Sequence, residues 1–293
     1  MLPSVSTAET AKIIDGRELA DAVKRELATR VAELAANGIS VRLDVVLAAG
    51  NPAGSVYARN QASMCEEIGI DYRLHEVACD ADSDCVADAV QSLNVDPAVT
   101  AIMVHLPLPD GVDTMRIQSM IDAGKDVEGV NPANIGGVIY GRRTLVPCTA
   151  LATMRMIEAT GINLVGAEVV CVGASTIVGR PVAVLLMEAQ ATVISTNVHT
   201  VDLASHVRGA DVVIVAAGVP GLVTRDMVKP GAVVIDVGIN RIEDENGDRR
   251  TVGDVDFESV SSIAGWLSPV PGGVGPMTVA MLLRNTVAAA DHG

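Results

Sequence analysis

EVVCVGASTIVGRPVAVLLME, residues 168–188, decides the fold. Its first five residues are dense in valine and read as a buried strand. Gly173 and Gly179 then flank a turn, and the apolar spacing from Gly179 to Glu188 reads as a helix. A strand-to-helix turn of this kind aims backbone N–H groups and the helix dipole at a pyrophosphate. The pattern departs from GxGxxG, because Ser175 stands where the second glycine would be; its hydroxyl offers a further donor. The plainer alternative is a tight turn that binds nothing. Outward from this stretch, residues 192–196, 212–216 and 232–237 read as strands, with helices over 149–160 and near 203–208. Apolar strands alternating with short helices make a doubly wound, parallel, Rossmann-like unit.

The upstream half repeats the alternation. Asp15 with Glu18 three residues on reads as a capping box. Leu19, Val23, Leu27, Val31 and Leu34 follow at helical spacing, closed by Asn37-Gly38. Strands are expected over 41–49, 72–77 and 100–105, and helices over 53–68 and 84–93. The best boundary lies near 147, which gives a first domain of residues 11–147 and a second of 148–274. The last helix, from Gly275, returns to the first domain, adding residues 275–293. The fold class is therefore α/β, with two α/β domains. Residues 1–10 read as a loose tail. The charged stretch 243–250, centred on Asn246-Gly247, reads as a solvated hairpin turn.

Composition narrows the function. The 293 residues are 49% hydrophobic and only 2% aromatic, so the core is Val, Ile, Leu, Ala and Met. Base-stacking platforms for nucleic acid need more aromatic residues than that. The net charge of −15 also opposes nucleic acid and anionic membranes. The longest apolar run, 212–223, is broken by Gly218, Pro220 and Gly221 and falls short of a membrane span. Five scattered cysteines contain no CxxC pair, so no zinc knuckle is indicated, and free thiols fit a reducing, cytoplasmic setting. His75 and His199 have no partner at metal-ligand spacing and read as ordinary side chains. Cys148 reads as packing rather than as a nucleophile, since no paired base is evident.

Several motifs follow in order: KIIDG (12–16), LNVD (93–96), IMVHLPL (102–108), KDVEG (125–129), PCT (147–149), the glycine loop, VGIN (237–240), GDV (253–255) and PVPGGVGPMT (269–278). Through them the chain resembles the methylenetetrahydrofolate dehydrogenase/cyclohydrolase family from about residue 11 to residue 290. The last motif is the most diagnostic. The resemblance implies a cleft between a folate-binding domain and a Rossmann domain, usually in a homodimer. It also implies oxidation of 5,10-methylenetetrahydrofolate by NAD or NADP, followed by hydrolysis to 10-formyltetrahydrofolate. It assigns Tyr57, Gln61, His105 and Glu128 to catalysis. Substrate binding falls to Tyr57, Gln61, Leu106, Pro107, Glu128, Pro271, Gly272 and Gly273. Cofactor binding falls to Gly173, Ala174, Ser175, Thr176, Gly179, Arg180, Pro181, Val198, Ala217, Gly218 and Ile239. No metal is expected.

Three positions depart from the family pattern. The family has a lysine four residues after its tyrosine, where this chain has Gln61. The family glutamine of the QLPL segment is His105 here, and the second aspartate of KDVDG is Glu128. Hydride transfer is carried by the cofactor and needs mainly alignment. Hydrolysis needs a positioned acid or base, which typically contributes ~10²–10⁴-fold, and a glutamine amide transfers no proton at ordinary pH. The expectation is a dehydrogenase with weak or absent cyclohydrolase activity. Two alternatives stand beside it: a bifunctional enzyme in which His105 substitutes for the lysine, and a non-catalytic folate- or nucleotide-binding relative. Residues 195–200, STNVHT, supply neither the acid that favours NAD nor an arginine that favours NADP. The reading leans to NAD or dual use, with Arg180 the one cation in the loop.

Overall fold

A computed structural model describes residues 10–49, 52–78, 80–142, 144–243, 247 and 249–291. Residues 1–9 of the expected tail, Cys79 and Asn246 lie outside the described residues. The chain divides into two compact units: Ala20–Cys148 with the stretch from Val279 onward, and Thr149–Thr278 with the described residues up to Leu19.

The chain begins with a two-residue strand, β1 (Lys12–Ile13), and helix α1 (Gly16–Ala36). Asp15 caps α1, its Oδ1 accepting the N–H groups of Arg17 at 2.8 Å and Glu18 at 3.3 Å. Next come β2 (Arg42–Ala48), α2 (Pro52–Ile68), β3 (Asp71–Val77), α3 (Ser83–Val95), β4 (Ala101–Val104), α4 (Thr114–Met120) and α5 (Pro132–Ile139). These three strands form a parallel sheet in the order β3-β2-β4. All seven residues of the central strand β2 are buried, which is why it reads as a nearly continuous apolar run. The polar exceptions partner one another: Asp44 Oδ1 lies 2.7 Å from Arg42 Nη2 and 2.6 Å from His75 Nε2. Side chains of α3 and α4, including Val86, Val90 and Ile117, pack against Val46, Ile102 and Val104.

The second unit contains α6 (Cys148–Ala159), β5 (Glu168–Val172), α7 (Gly179–Glu188), β6 (Thr192–Thr196), α8 (Leu203–Val207), β7 (Val212–Val215), β8 (Val233–Asp236), β9 (Asn240–Glu243), β10 (Arg249–Val252), α9 (Phe257–Ser261) and β11 (Trp266–Leu267). The final helix is α10 (Val274–Asp291). Its six-stranded sheet runs β1-β11-β8-β7-β5-β6, and every pairing is parallel. From β5 the chain moves outward to β6, then returns to place β7 on the other side of β5. The strand order therefore reverses between β5 and β7, the place where doubly wound sheets bind ligands. β9 and β10 pair as an antiparallel hairpin outside this sheet.

Two boundaries differ from the sequence reading. Residues 275–278, expected with the first domain, fall in the six-stranded unit. Residues 11–19 were expected in the first domain, but β1 pairs with β11 and its segment belongs to the six-stranded unit. Three hydrogen bonds fix it: Ala11 N–H to Ser261 O, Lys12 N–H to Gly265 O and Ile14 N–H to Leu267 O. Lys12 Nζ also lies 5.2 Å from the Trp266 ring centre, within cation–π range.

Candidate active site

In the six-stranded unit, a cavity of about 440 Å³ opens at the carboxyl ends of β5, β6 and β7. Gly173, Ala174, Ser175, Val198 and Ala217 line it, as expected residues. Val172, Thr196, Asn197, Thr200, Leu203, Ala216, Val219 and Leu222 complete it. Thr176, Gly179, Arg180, Pro181, Gly218 and Ile239 are not among the lining residues. Gly179 and Pro181 are buried at the start of α7, while Arg180 is exposed.

The glycine loop is shaped for an anion. Gly173 has φ +109°, and a Cβ there would lie 2.2 Å from the Ala216 carbonyl oxygen. A Cβ on Gly179 would lie 2.0 Å from Gly173 O, so both positions require glycine for close approach. Ser175 Oγ accepts the N–H groups of Val178 at 3.2 Å and Gly179 at 3.3 Å, and its own proton remains free to donate. The backbone N–H groups of Ala174, Ser175, Thr176 and Ile177 have no acceptor among the described residues. Four free amides and a hydroxyl ahead of a helix fit a dinucleotide pyrophosphate. Among the described residues no Lys, Arg, Asp or Glu lines the cavity.

Two buried aspartates brace the loops beside this cavity. Asp254 Oδ2 accepts N–H groups from Ala217 at 2.6 Å and Gly218 at 2.8 Å, and Oδ1 accepts from Asn240 Nδ2 at 2.7 Å. Asp236 accepts N–H groups from Gly238, Asp254 and Val255. Burial pushes Asp236 up to about 6, against the pull of those three amides, and the charge of Asp254 adds to the rise. Sequence reasoning quoted VGIN and GDV without giving either aspartate a task.

In the three-stranded unit the structure joins two of the departing positions. Gln61 on α2 and His105 just beyond β4 are both buried, and His105 Nε2 lies 3.0 Å from Gln61 Oε1. Gln61 Nε2 donates to Met103 Sδ at 3.2 Å, so its oxygen is left to accept from an Nε2–H imidazole. Nδ1 of His105 then carries the lone pair and has no partner among the described residues. Burial lowers the His105 pKa, which keeps the ring neutral at pH 7. Tyr57, one turn before Gln61, is 55% exposed, so the two do not share one environment despite their i, i+4 spacing.

Glu128 stands two residues past a bridge between Ile102 and Asp126. Burial, then the neighbouring Asp126 charge, push its carboxyl up to about 8. Asp126 is wholly buried; Oδ2 accepts from Asn131 N–H and Asn134 Nδ2, while Oδ1 has no partner. Lys125 Nζ donates to the carbonyls of Leu93, Asn94 and Asp96, which ties KDVEG to the end of α3. Asn285 on α10, missed in the sequence, donates to Val127 O and Val146 O. Cys148 is buried, and burial first, then the charges of Glu128 and Asp126, hold its thiol well above its ordinary pKa. That agrees with a packing role. Leu106 and Pro107 follow His105, whereas Pro271, Gly272 and Gly273 belong to the six-stranded unit, where Gly272 O accepts Gly16 N–H at 3.0 Å. No group of three metal-ligating side chains occurs among the described residues.

Comparison with known proteins agrees with both halves of this geometry. The family model described as tetrahydrofolate dehydrogenase/cyclohydrolase, catalytic domain, matches residues 14–128, and the companion NAD(P)-binding domain matches 147–293. The chain belongs to this family. It is 46% identical over 280 residues to bifunctional protein FolD of Moorella thermoacetica, covering 96% of this chain and 99% of that one. The bifunctional FolD structure from Campylobacter jejuni has a TM-score of 0.92 at 42% identity, covering 96% of this chain and 99% of the other. The Trypanosoma brucei dehydrogenase-cyclohydrolase, solved with NADP and an inhibitor, has a TM-score of 0.90 at 36% identity, covering 97% and 98%. The family's NAD(P)-binding domain contains the four free amides, and its catalytic domain contains the Gln61–His105 pair.

Proposed function

We propose that the protein oxidises 5,10-methylenetetrahydrofolate to 5,10-methenyltetrahydrofolate, with NAD or NADP as oxidant, and hydrolyses the product slowly. The observation that carries this reading is the ring of free amides at the strand-order reversal between β5 and β7. When bound, NAD(P) accepts the hydride. Residues 174–177 would hold its pyrophosphate through backbone N–H groups, and the Ser175 hydroxyl would donate to the same anion. Tyr57, Leu106, Pro107 and the turn at Pro271, Gly272 and Gly273 are assigned to the folate. Glu128, protonated at neutral pH, offers one O–H donor and one acceptor to the polar edge of a pterin. Alignment of two rings is enough for hydride transfer, so the loss of a lysine at 61 leaves that step intact.

Hydrolysis demands more. Water must lose a proton as it attacks the methenyl carbon, and a ring nitrogen must gain one as the C–N bond breaks. Gln61 does neither. A second reading is favoured by one observation, the 3.0 Å bond that holds His105 with Nδ1 free. In that reading His105 takes the proton from water. The test follows NADH or NADPH formation with methylenetetrahydrofolate, then the decay of methenyl absorbance from pH 5.5 to 8.5. No turnover with either cofactor in folded protein removes the dehydrogenase reading. A decay rate comparable to oxidation, with a histidine-like titration that collapses in His105→Gln, establishes the second reading over the first.

The same proposal makes the protein a homodimer of the cytoplasm. Family resemblance supports the dimer, and light scattering after gel filtration tests it. Four free cysteines among the described residues support a reducing compartment. No described helix is long and apolar enough to cross a membrane.

A further inference from the structure

We propose that Asp254 is a positioning residue of the cofactor site, a buried carboxylate that sets the orientation of the 216–217 peptide and, with Asp236, the spacing between the loops after β7 and β8. The proposal rests on the reading of the cavity as an NAD(P) site and goes beyond it. Asp254 is wholly buried, so it acts through the backbone it holds rather than on the cofactor.

The 216–217 peptide has two engaged faces. Its N–H, on Ala217, points to Asp254 Oδ2 at 2.6 Å. Its carbonyl, on Ala216, points at the glycine turn, since a Cβ on Gly173 would meet that oxygen at 2.2 Å. The peptide is thus the wall shared by the β7 loop and the glycine loop. A rotation that broke the Asp254 bond would swing the carbonyl relative to Gly173, where the amide nest begins. A second N–H, from Gly218 at 2.8 Å, fixes the next peptide against the same oxygen.

The other oxygen reaches across. Asp254 Oδ1 holds the Asn240 amide, and Asp236 Oδ1 holds Gly238 N–H at 2.9 Å and Asp254 N–H at 3.0 Å. Ile239, 63% exposed and assigned to the cofactor by resemblance, is gripped on both sides by these two bonds. Among the described residues no lysine or arginine side chain bonds either aspartate; the donors are five backbone amides and one asparagine. Backbone amides have far less freedom to turn away than a lysine, so this arrangement specifies geometry as well as compensating charge. It also accounts for two glycines. A Cβ on Gly238 would lie 2.2 Å from Asp254 Cγ, and one on Gly253 would lie 1.8 Å from Asp236 Oδ2.

The experiment titrates the full-length protein with NADH and NADPH by fluorescence, alongside thermal melting and the KM for methylenetetrahydrofolate at saturating cofactor. Asp254→Ala should raise the cofactor Kd by about ten-fold or more, since two charge-assisted bonds are lost, and leave the folate KM within about two-fold. Asp254→Asn keeps an oxygen for the two amides while Asn240 turns its amide to match, and should return the Kd to within about three-fold of wild type. If Asp254→Ala does not fold, Asn240→Ala decides: it frees only Oδ1 and should raise Kd about three-fold with little change in melting. An unchanged Kd in folded Asp254→Ala, or in Asn240→Ala where that variant decides, overturns the proposal. Wild-type protein that binds neither NADH nor NADPH overturns the cofactor assignment itself, a separate and distinguishable failure.

Discussion

Replacing Glu128 with glutamine should make the protein more stable, and more so as pH rises. The carboxyl has an ordinary pKa of 4.5 and is pushed up to about 8 in the fold by burial and by Asp126. Below pH 4.5 the folded and unfolded chains both hold the proton, and the group contributes nothing against glutamine. Between 4.5 and about 8 the unfolded chain releases the proton while the folded chain keeps it, so wild-type stability falls with rising pH. Above 8 the folded carboxyl ionises and the penalty levels off. At 1.36 kcal/mol per pKa unit the full penalty is at most about 5 kcal/mol. With the folded carboxyl titrating near 8, nearly all of that penalty is present at pH 8.5. Urea unfolding of wild type and Glu128→Gln at pH 5.5 and 8.5, with equal m-values, measures it. The variant should gain about 1 kcal/mol at pH 5.5 and on the order of 4 kcal/mol at pH 8.5. An equal difference at both pH values, or a variant less stable at pH 8.5, refutes the reasoning. Since the carboxyl is already neutral at pH 7, the folate KM should change little there.

Gly173→Ala should cost about 3 kcal/mol or more and abolish NADH binding, because its Cβ meets backbone at 2.2 Å and its φ is +109°; an unchanged melting temperature contradicts this. Gln61→Lys should raise methenyl hydrolysis by about ten-fold or more while oxidation holds within a few-fold; decay of methenyl absorbance is the measurement, and an unchanged rate removes the role given to position 61. Wild type should use NAD at least as well as NADP, since no cation among the described residues lines the cavity. Val198→Arg, at a 91% exposed cavity residue, should shift kcat/KM towards NADP by about ten-fold; no shift means the 2′-hydroxyl end of the ribose lies elsewhere.

The inner strand 168–172 was legible because it is almost wholly buried and apolar, and the edge strand 192–196, half-exposed, through its β-branched residues; both were read with the bounds the structure shows. The glycine loop was legible because backbone approach excludes every other residue type at 173 and 179. β1 and β11 were not, because two residues show no period and their partner lies about 250 residues away in sequence. α4, α5 and α9 are too short for a hydrophobic stripe; their signals are the capping side chains of Asp113, Asn131 and Asp256, joined in α5 by Pro132 at the first turn. The departures at 61, 105 and 128 stood out against a family pattern, but the bond between 61 and 105 spans 44 residues and has no sequence signature. Asp254 and Asp236 stayed hidden because their role lies in the backbone amides they accept, and any residue other than proline supplies those.

The three positions keep hydrogen-bonding capacity and carry no charge at neutral pH. The family lysine at position 61 is an amide here, the glutamine at 105 is a buried histidine whose ring burial keeps neutral, and the carboxyl at 128 is protonated at pH 7. Oxidising the one-carbon bridge turns a neutral carbon centre into a cationic methenyl group. A lysine cation nearby opposes that change, and a neutral amide does not, so the exchange at 61 leaves hydride transfer unhindered or assists it. Hydrolysis discharges the same cation, but only if a proton leaves the attacking water and another reaches the departing nitrogen. A group that accepts one proton at neutral pH, His105 through Nδ1, supplies half of that requirement, and Gln61 supplies none of the rest. On the proposed reading the substitutions spare the oxidation and slow the hydrolysis, and the ratio of methenyl formation to methenyl decay is the quantity that tests it.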